Sequence, residues 1–535
     1  MAGFGNRSRE FKKGIDSDKS RRSRTDTRIQ IRKNKKEEGL MKRRAMNVVP
    51  SIEPSASSNS TTDVTLSSKK IYTAADVPSL AATLKQASPS TEINLEAITG
   101  FRKMLSVERN PPVQEVMEAG MLPIFVQLLS HPDAKIQFEA AWALTNVAST
   151  EHTRAVVESG AVSKLVELLM SGNADVREQS AWCIGNIAGE GADLRDMVLQ
   201  AGAMNSMLVN IQNPASDSLL ANVTWALSNL CRGKPQPDLE VIAPAIPLLC
   251  QVVASGKKDS MQDALWALSY LSDGNDTRIE AVVSTGIAPT LVQILSGNDT
   301  ALITPALRTL GNFVSGTESQ TQAVLDADVL KVVVPLLNHQ KKNIRKETCW
   351  LLSNIAAGSM SQINQLGYKR DILTDVISLM QNAEWEVKKE ATWVISNIAT
   401  GGNENNVHQL VEFGAIDALC SMINSADPKI LMVVLDAIDC ILKHGKNANR
   451  DYAGMVDECD GLDSLEELQE HEYEQVYEKS VSIIETYFGV EEGEDENLVP
   501  EVDGNMFSFG ANVEKIDEHA SDFYGTQQPL QRFNF

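Results

Sequence analysis

The 535-residue sequence predicts an all-α fold, a right-handed superhelical solenoid of about ten repeats with three helices each. Three observations support this prediction. A Trp-x-x-x-Asn phrase recurs at intervals of 40 to 43 residues, a glycine followed by an apolar helix recurs between these phrases, and only 5% of the residues are aromatic. A fixed period of this length is typical of stacked helical repeats, whose cores are filled mainly by Leu, Ala, Ile and Val.

The Trp-x-x-x-Asn phrase places two side chains on one face of a helix, because residues i and i+4 are neighbours there. The surrounding segments are rich in the helix formers Ala and Leu. The complete copies are Trp142/Asn146, Trp182/Asn186, Trp225/Asn229, Trp350/Asn354 and Trp393/Asn397. The partial copies are Trp266/Tyr270 and Arg308/Asn312, and a further copy that has lost both residues is Asp436/Cys440.

A single tryptophan in such a helix is most simply explained as core filling, but the recurring asparagine favours a polar partner. A buried amide without a partner costs roughly 1–3 kcal/mol, and an Asn side chain can hold both the N–H and the C=O of a peptide. Slots between successive indole faces would suit the methylene stem of a Lys or Arg. The phrases therefore predict a groove for an extended, basic peptide.

The amino-terminal region differs in charge from the rest of the chain. Residues 1–44 carry 16 Lys/Arg against 6 Asp/Glu, a net charge of +10, which leaves −32 for the remainder of a chain whose total is −22. Parts of opposite charge are expected to attract each other, although a disordered tail or a nucleic-acid arm is the alternative from charge alone. We predict a basic arm over residues 1–50 and a flexible Ser/Thr/Pro-rich linker over residues 51–75.

The repeats are predicted over residues 76–488, with an atypical first repeat that acts as a cap. A short helix, a glycine turn, a second helix and a long third helix in about 42 residues form the armadillo pattern. Residues 489–535 are predicted to be an acidic, disordered tail. The glycines expected at the turns are Gly120, Gly160, Gly202, Gly286, Gly367, Gly414 and Gly461.

No group of residues has the spacing of a catalytic or metal site, so we predict no enzyme activity, no metal and no cofactor. The amino terminus is polar and charged, and no run of 18 apolar residues is present, which argues against a secretory signal or a membrane span. The cysteines form no Cys-x-x-Cys pair and are predicted to be reduced thiols, most of them in the core. They are Cys183, Cys231, Cys250, Cys349, Cys420, Cys440 and Cys459.

The basic arm that ends in Lys-Arg-Arg, the Ser/Pro linker and the repeats with Trp-x-x-x-Asn phrases together resemble the importin alpha (karyopherin alpha) family. The likeness spans the whole chain, and the segments that begin at Trp142, Trp182 and Thr304 are close to the family's own. The resemblance implies an adaptor for nuclear protein import that shuttles between cytoplasm and nucleus. It also implies that mono- and bipartite nuclear localisation signals of cargo proteins bind in the concave groove.

The resemblance implies two cargo sites. Its major-site residues are Trp142, Asn146, Ser149, Thr153, Gln179, Trp182, Asn186, Glu190, Trp225 and Asn229. Its minor-site residues are Tyr270, Arg308, Asn312, Glu347, Trp350, Asn354, Glu390, Trp393 and Asn397. The family's pattern implies that Gln179, Glu347 and Glu390 receive the basic head groups of the cargo. Arg308 is expected to repel a long basic ligand between the two sites.

The arm is implied to bind importin beta, through residues that match the family's basic helix. These residues are Arg21, Arg22, Arg24, Arg32, Lys33, Lys35 and Lys36. Without importin beta, Lys42, Arg43 and Arg44 would occupy the major site as a tethered, autoinhibitory competitor, at an effective concentration on the order of mM. The last repeats would meet an export receptor with Ran-GTP, and nuclear pore components are further candidate partners. No direct nucleic-acid or membrane partner is expected.

The chain departs from the family's pattern at two places in the major site. The loop from Ser149 to Thr153 is two residues shorter than in the family and lacks its glycine, although Thr153 matches a threonine that contacts the key cargo lysine. Glu190 stands where the family has an aspartate that pairs with the same lysine. Our hypothesis is that these changes alter cargo preference or weaken self-inhibition.

Two other functions compete with this reading of the sequence. A different armadillo scaffold, such as a catenin-like adhesion or signalling protein, would also have a concave groove but would lack the basic arm. A nucleic-acid binder would use residues 1–44, but the charge of −32 on the remainder would repel phosphate.

Overall fold

The computed structural model describes residues 71–86, 90–107 and 110–489, together with the backbone of residues 501–503 and 506–508. Helices dominate these ranges and stack in ten successive repeats, so the predicted armadillo solenoid is confirmed. Nine repeats have three helices, and the first has two within the described residues. The predicted basic arm and its Lys-Arg-Arg segment lie outside the described residues.

The first two helices of each repeat are short. The first helices are Val113–Glu118, Thr153–Glu158, Ala192–Gln200, Leu239–Ile242, Asp276–Val283, Glu318–Asp326, Met360–Gly367, Glu404–Glu412 and Tyr452–Asp457. The second helices are Val77–Leu84, Met121–Leu128, Ala161–Leu168, Ala203–Gln212, Ile246–Ala254, Ala288–Leu295, Val334–Leu337, Arg370–Asn382, Ala415–Cys420 and Gly461–Glu467. Single 3-10 turns are Ala74–Asp76, Ala243–Ala245, Val329–Lys331 and Leu468–Glu470.

The third helix of each repeat is long and contacts the third helices of the repeats on either side. We call these the ladder helices, because they carry the Trp-x-x-x-Asn phrases. The ladder helices are Thr91–Leu105, Ala134–Val147, Ala174–Glu190, Asp217–Leu230, Lys258–Leu271, Thr300–Val314, Lys342–Ala356, Trp385–Gly401, Pro428–Asn447 and Glu474–Tyr487.

Short polar side chains start several ladder helices. Asp133, Asn173 and Ser216 each accept a hydrogen bond from a backbone N–H in the first turn. These N–H groups have no partner within the helix, so each cap stabilises its helix by about 1 kcal/mol. The polar loop before each phrase therefore determines where the ladder helix begins.

Five of the seven predicted turn glycines have the expected left-handed backbone. Their φ angles run from 65° at Gly120 to 91° at Gly414, with Gly160, Gly202 and Gly286 between them. Glycine has no Cβ, so this conformation costs it little.

The prediction was wrong at the other two turn glycines. Gly367 is the last residue of a helix, where an added Cβ would meet the side chain of Asn406. Gly461 begins a helix, and Asp460 before it has the positive φ of 56° instead.

A continuous apolar core runs along the solenoid from Tyr72 to Ile483. Tyr72 is buried and the turn Ala74–Asp76 follows it, so residues 71–75 belong to the repeats rather than to the predicted linker. The predicted tail also contains regular structure, since Glu501–Asp503 pairs antiparallel with Met506–Ser508. The repeat region therefore begins slightly earlier than predicted.

All seven cysteines are free thiols, as predicted. Four of them are buried in the core, and burial raises the pKa of Cys231 and of Cys420 to about 12. Among the described residues, no single helix is long and apolar enough to cross a membrane. One pair of consecutive helices, Asp276–Val283 and Ala288–Leu295, reaches that length only together, across an 82° bend.

Candidate functional site

One position in each ladder helix, the position of the tryptophan, faces the same way in every repeat. We call it the ladder position. From the first repeat to the last it holds Arg102, Trp142, Trp182, Trp225, Trp266, Arg308, Trp350, Trp393, Asp436 and Lys479. The first and last members were not predicted from the sequence, although they lie one period before Trp142 and one period after Asp436. The period itself was the signal that could have found them.

The three tryptophans of the predicted major site are partly exposed. The rings of Trp182 and Trp225 lie 6.0 Å apart between centroids and are tilted by 50°. A methylene stem between two parallel rings needs roughly 7–8 Å, twice the usual contact distance between carbon atoms. The two rings are tilted, so they do not form a parallel-sided slot, and the predicted binding of a basic side chain between them stays a prediction.

Two glycines allow tryptophans to lie directly against the preceding ladder helix. A Cβ on Gly185 would stand 2.7 Å from Cε3 of Trp225, and a Cβ on Gly311 would stand 2.6 Å from Cε3 of Trp350. Each glycine comes immediately before the asparagine of its own phrase. These indoles therefore lean back onto the preceding repeat, a role of glycine that the sequence analysis missed.

The asparagines connect successive ladder helices. Asn186 donates through Nδ2 to the carbonyl oxygen of Thr145 at 3.2 Å, and Asn229 donates to that of Gly185 at 3.0 Å. Asn397 donates in the same way to Ser353 at 2.9 Å. Each bond reaches the residue before the asparagine position of the preceding repeat. A polar partner within the scaffold therefore exists, and the cost of a buried amide does not by itself require a ligand.

Two asparagines use other partners, and a third, Asn312, makes this contact and adds a second one. Asn146 donates to the Ser106 hydroxyl at 2.9 Å, and Asn354 donates to the carbonyl of Trp350 in its own helix at 3.0 Å. Asn312 donates to the Ser269 carbonyl at 2.9 Å and the Ser272 hydroxyl at 3.1 Å.

The side-chain oxygens of Asn146 and Asn186 are buried and have no hydrogen-bond partner. A buried acceptor of this kind is costly. These two positions of the major site therefore keep an acceptor that a peptide N–H could satisfy.

Arg308 does not stand free in the groove. Its guanidinium forms a buried pair with the Glu347 carboxylate of the next repeat through two hydrogen bonds, one of which, from Nε, measures 2.7 Å. Its Cζ lies 5.5 Å from the ring centroid of Trp350. The pair is electrically neutral, and each residue has a partner within the protein, so the roles of Arg308 and Glu347 toward a cargo peptide stay predictions.

The same arrangement occurs at the start of the ladder. Arg102 binds Glu139 through Nε at 2.7 Å and through Nη2 at 3.1 Å. Its Cζ lies 4.6 Å from the centroid of Trp142. In both groups the glutamate lies three residues before the tryptophan, and the arginine stands at the ladder position of the preceding repeat.

Two other predicted contacts of the major site are made within the protein. Gln179 is 3% exposed and donates through Nε2 to the Thr145 hydroxyl at 2.8 Å, so its predicted role toward a cargo head group would fall to its side-chain oxygen and stays a prediction. Thr153 is buried, and its hydroxyl is 3.0 Å from the carbonyl oxygen of Ala148 and 2.9 Å from that of Thr150. Thr153 therefore closes the short loop on itself.

The remaining predicted residues near this loop differ in exposure. The Ser149 hydroxyl is part-buried and donates to the Asn146 carbonyl oxygen at 2.7 Å. Glu190 is exposed at the carboxyl end of Ala174–Glu190. Arg232 donates to the carbonyl oxygen of Gly189 at 2.8 Å and so fixes the backbone beside that glutamate. Of the acidic and amide groups predicted to meet cargo, Glu190 is the one on the surface.

The predicted minor site is more enclosed than the major site. Trp350 is 9% exposed and Trp393 is 6% exposed, while Glu390 is buried three residues before Trp393. Between the two sites, the ring of Tyr270 stacks on Trp266 at 6.0 Å with an interplanar angle of 23°. One face of Trp266 is therefore covered by its own helix.

The ladder ends in a group of polar contacts. Lys479 pairs with Asp436 at 3.1 Å and with Asp439 at 2.6 Å. Tyr487 also donates to the Asp439 carboxylate, at 2.8 Å. Burial alone would lower the pKa of Lys479, but the hydrogen bonds to Asp439 and Asp436 raise it overall. The cation at the last ladder position is thus held within the protein.

Comparisons with protein families match three parts of the chain. The Importin beta binding domain model matches residues 7–99, and the Armadillo/beta-catenin-like repeat model matches residues 109–149, 149–189 and 317–357. A model of an Atypical Arm repeat matches residues 450–501. An engineered protein of known structure aligns with a TM-score of 0.70 at 26% identity, over 77% of this chain and 98% of that one.

Several curated proteins align with almost the whole chain. Importin subunit alpha-4 of Arabidopsis thaliana is 41% identical, over 95% of this chain and 96% of its own length. Importin subunit alpha-2 of the same plant is 43% identical over 94% and 95%, and Importin subunit alpha-1a of Oryza sativa subsp. japonica is 40% identical over 94% and 96%. With the matching amino-terminal domain and repeats, these alignments establish that the chain belongs to the importin alpha family of nuclear import adaptors.

Proposed function

We propose that this adaptor binds basic nuclear localisation signals along its ladder helices, mainly at the major site and more weakly at the minor site. The observation that carries the proposal is the group Arg308–Glu347–Trp350. There an arginine lies against an indole face and pairs with the carboxylate three residues earlier in the same helix. The scaffold thus contains its own example of how this surface binds a basic side chain.

The next repeat has the same two groups at the same spacing, behind a tryptophan instead of an arginine. Glu390 and Trp393 keep the three-residue spacing, but the preceding ladder position holds Trp350, which leans back onto Gly311. We expect a cargo Arg or Lys to bind Glu390 and Trp393 in the way that Arg308 binds Glu347 and Trp350. Because both side chains of this minor site are largely buried, we expect that they must move to admit a cargo residue. Binding there should therefore be weaker than binding at the major site.

Exposed side chains and hydrogen-bond acceptors that no protein group uses support peptide binding at the major site. Its indoles are partly exposed, and Glu190 presents a carboxylate at the surface. The oxygens of Asn146 and Asn186 are buried without a partner and would accept hydrogen bonds from a peptide backbone. An extended basic peptide would therefore meet aromatic faces, an anion and backbone acceptors in one segment.

We further propose that Lys42, Arg43 and Arg44 compete with cargo for the major site until importin beta binds the arm. The charge of the two parts supports this, with +10 on residues 1–44 and −32 on the remainder. A tethered ligand needs only weak intrinsic affinity, because its effective concentration is on the order of mM. We also propose shuttling between cytoplasm and nucleus, and export by a receptor that binds the last repeats.

The test is a titration of a fluorescent monopartite basic peptide against the full chain, with fluorescence polarisation as the readout. A variant with Lys42→Ala, Arg43→Ala and Arg44→Ala, which we call the open-arm variant, is expected to bind at least about tenfold more tightly than the native chain. Importin beta should raise the affinity of the native chain toward that of the open-arm variant and leave the variant unchanged.

Two substitutions locate the site within the open-arm variant. Trp182→Ala is expected to weaken the monopartite peptide strongly, whereas Trp393→Ala should weaken a bipartite peptide more than a monopartite one. Equal affinity of the native chain and the open-arm variant would exclude self-inhibition. Binding that neither tryptophan substitution changes would exclude the groove as the cargo site.

A further inference from the structure

We propose that the Arg102 side chain fills a cation-binding position at the start of the groove. Because this position is filled, Arg102 determines where a bound cargo peptide must end. This inference rests on the proposed binding of basic peptides along the ladder helices. Arg102 would determine the register of the bound peptide, and Glu139 and Trp142 would form a subsite that Arg102 closes.

The subsite is filled by the protein itself. The Arg102 guanidinium satisfies both oxygens of Glu139, at 2.7 Å and 3.1 Å, and its Cζ lies 4.6 Å from the centre of the Trp142 ring. The ring of Phe138 meets the same indole edge-on, with centroids 5.4 Å apart. A further cation arriving at this end would find Glu139 already paired and one face of Trp142 already covered.

The arrangement matches the place where the ladder is interrupted. Arg102 and Arg308 both stand at a ladder position, and both reach forward to the glutamate of the next repeat and to the following tryptophan. Tryptophans at the equivalent position lean backward instead, as Trp225 does onto Gly185. Arginine at a ladder position therefore binds the groups ahead of it, whereas Trp225 and Trp350 pack on the glycine behind them.

The first repeat also lacks the asparagine of the phrase. Ser106 stands in its place and accepts the hydrogen bond from Asn146 at 2.9 Å. Its own hydroxyl donates back to the carbonyl of Arg102 at 2.7 Å. The asparagine position of this repeat therefore holds a hydroxyl instead of an amide that could hold a peptide backbone. This hydroxyl and the filled cation position would together end the groove at Trp142.

The experiment uses the full-length open-arm variant, an unextended basic peptide and extended versions of it. One peptide just spans the major site, and the others carry one additional arginine at either the amino or the carboxyl end. On the parental chain the additional arginine is expected to change the dissociation constant less than about threefold. On Arg102→Ala, the peptide extended toward the first repeat should bind about tenfold or more tightly than the unextended one, because Glu139 and one face of Trp142 are released.

Matched variants separate the subsite from general damage. Arg102→Ala combined with Glu139→Gln opens the same space without the anion and should lose the gain from the extension. Arg102→Gln, which keeps a donor for Glu139, is the alternative if Arg102→Ala does not fold. Ethylguanidinium in solution should raise the melting temperature of Arg102→Ala and leave that of the double variant unchanged.

The outcomes distinguish this inference from the proposed function. If the unextended peptide fails to bind the parental open-arm chain, the proposed function itself is wrong. If the parental chain binds that peptide but already gains tenfold from the extension, the position is not closed and the inference falls. Equal affinities of both peptides for folded Arg102→Ala and Arg102→Gln would overturn it as well.

Discussion

Replacing Gly185 by alanine tests whether the close seat of Trp225 on the preceding helix controls peptide affinity. The new Cβ would stand 2.7 Å from Cε3 and 3.0 Å from Cη2 of the indole, so the ring or the helix must move. Overpacking of this kind costs about 1–3 kcal/mol. Alanine is also a better helix former than glycine by about 1 kcal/mol, which offsets part of that cost. We expect a net loss of stability of at most about 2 kcal/mol.

The effect on binding follows from the displaced indole. A cation–π contact contributes about 0.5–1 kcal/mol at an exposed site and about 2 kcal/mol when desolvated. Losing one such contact at Trp225 corresponds to about a 3- to 30-fold weaker dissociation constant. The assay is the polarisation titration of a monopartite basic peptide against the open-arm chain, with thermal unfolding of both proteins measured in parallel.

Two other glycines provide controls within the same chain. Gly311→Ala would press on Trp350 in the same manner, so it should weaken a bipartite peptide and leave a monopartite one nearly unchanged. Gly172→Ala adds a Cβ with nothing within 4 Å, and it should alter neither stability nor binding. The reasoning fails if Gly185→Ala binds like the parent, or if Gly311→Ala weakens the monopartite peptide as much as Gly185→Ala does.

Three further predictions concern the scaffold. Glu347→Ala, which leaves Arg308 buried without its anion, should destabilise by roughly 3–5 kcal/mol in chemical denaturation, whereas replacing both residues by apolar ones should cost far less. Burial alone would raise the pKa of Asp427, but the hydrogen bond from Lys389 and other contacts lower it. The stability difference between the native chain and Asp427→Asn should therefore persist above about pH 4 and vanish as the pH falls through the lowered pKa. In alkylation at pH 8 followed by mass spectrometry, burial should protect Cys231, whose pKa is about 12, until the chain is unfolded. The thiols expected to react first are Cys250, Cys440 and Cys459.

The period of the sequence was sufficient to locate the ladder helices, because a helix-forming segment of similar length recurs once in every repeat. Five turn glycines were also predictable, since a left-handed residue between two helices strongly favours glycine. The same rule failed at Gly367 because glycine is also selected for close approach, in this case to Asn406. Residue type alone does not distinguish these two uses.

The partners of polar side chains were harder to predict, because each depends on a residue about 40 positions away. Gln179 is satisfied by Thr145, and Glu347 by Arg308, at sequence separations of 34 and 39. A pattern of glutamate or glutamine three residues before tryptophan was visible in the sequence. Whether such a group faces a ligand or a neighbour depends on the residue at the ladder position one repeat earlier.

The residue at the ladder position therefore has a physical role beyond its aromatic character. A tryptophan there packs against the helix behind it, as Trp350 does on Gly311. The carboxylate one repeat ahead then receives no cation from the ladder position. An arginine has the reach and the charge to bind forward, as Arg308 does, and it then neutralises that carboxylate and covers the next indole. Exchanging the two residue types at one position should therefore open or close one basic-residue subsite, because tryptophan packs on the helix behind it and arginine pairs with the helix ahead.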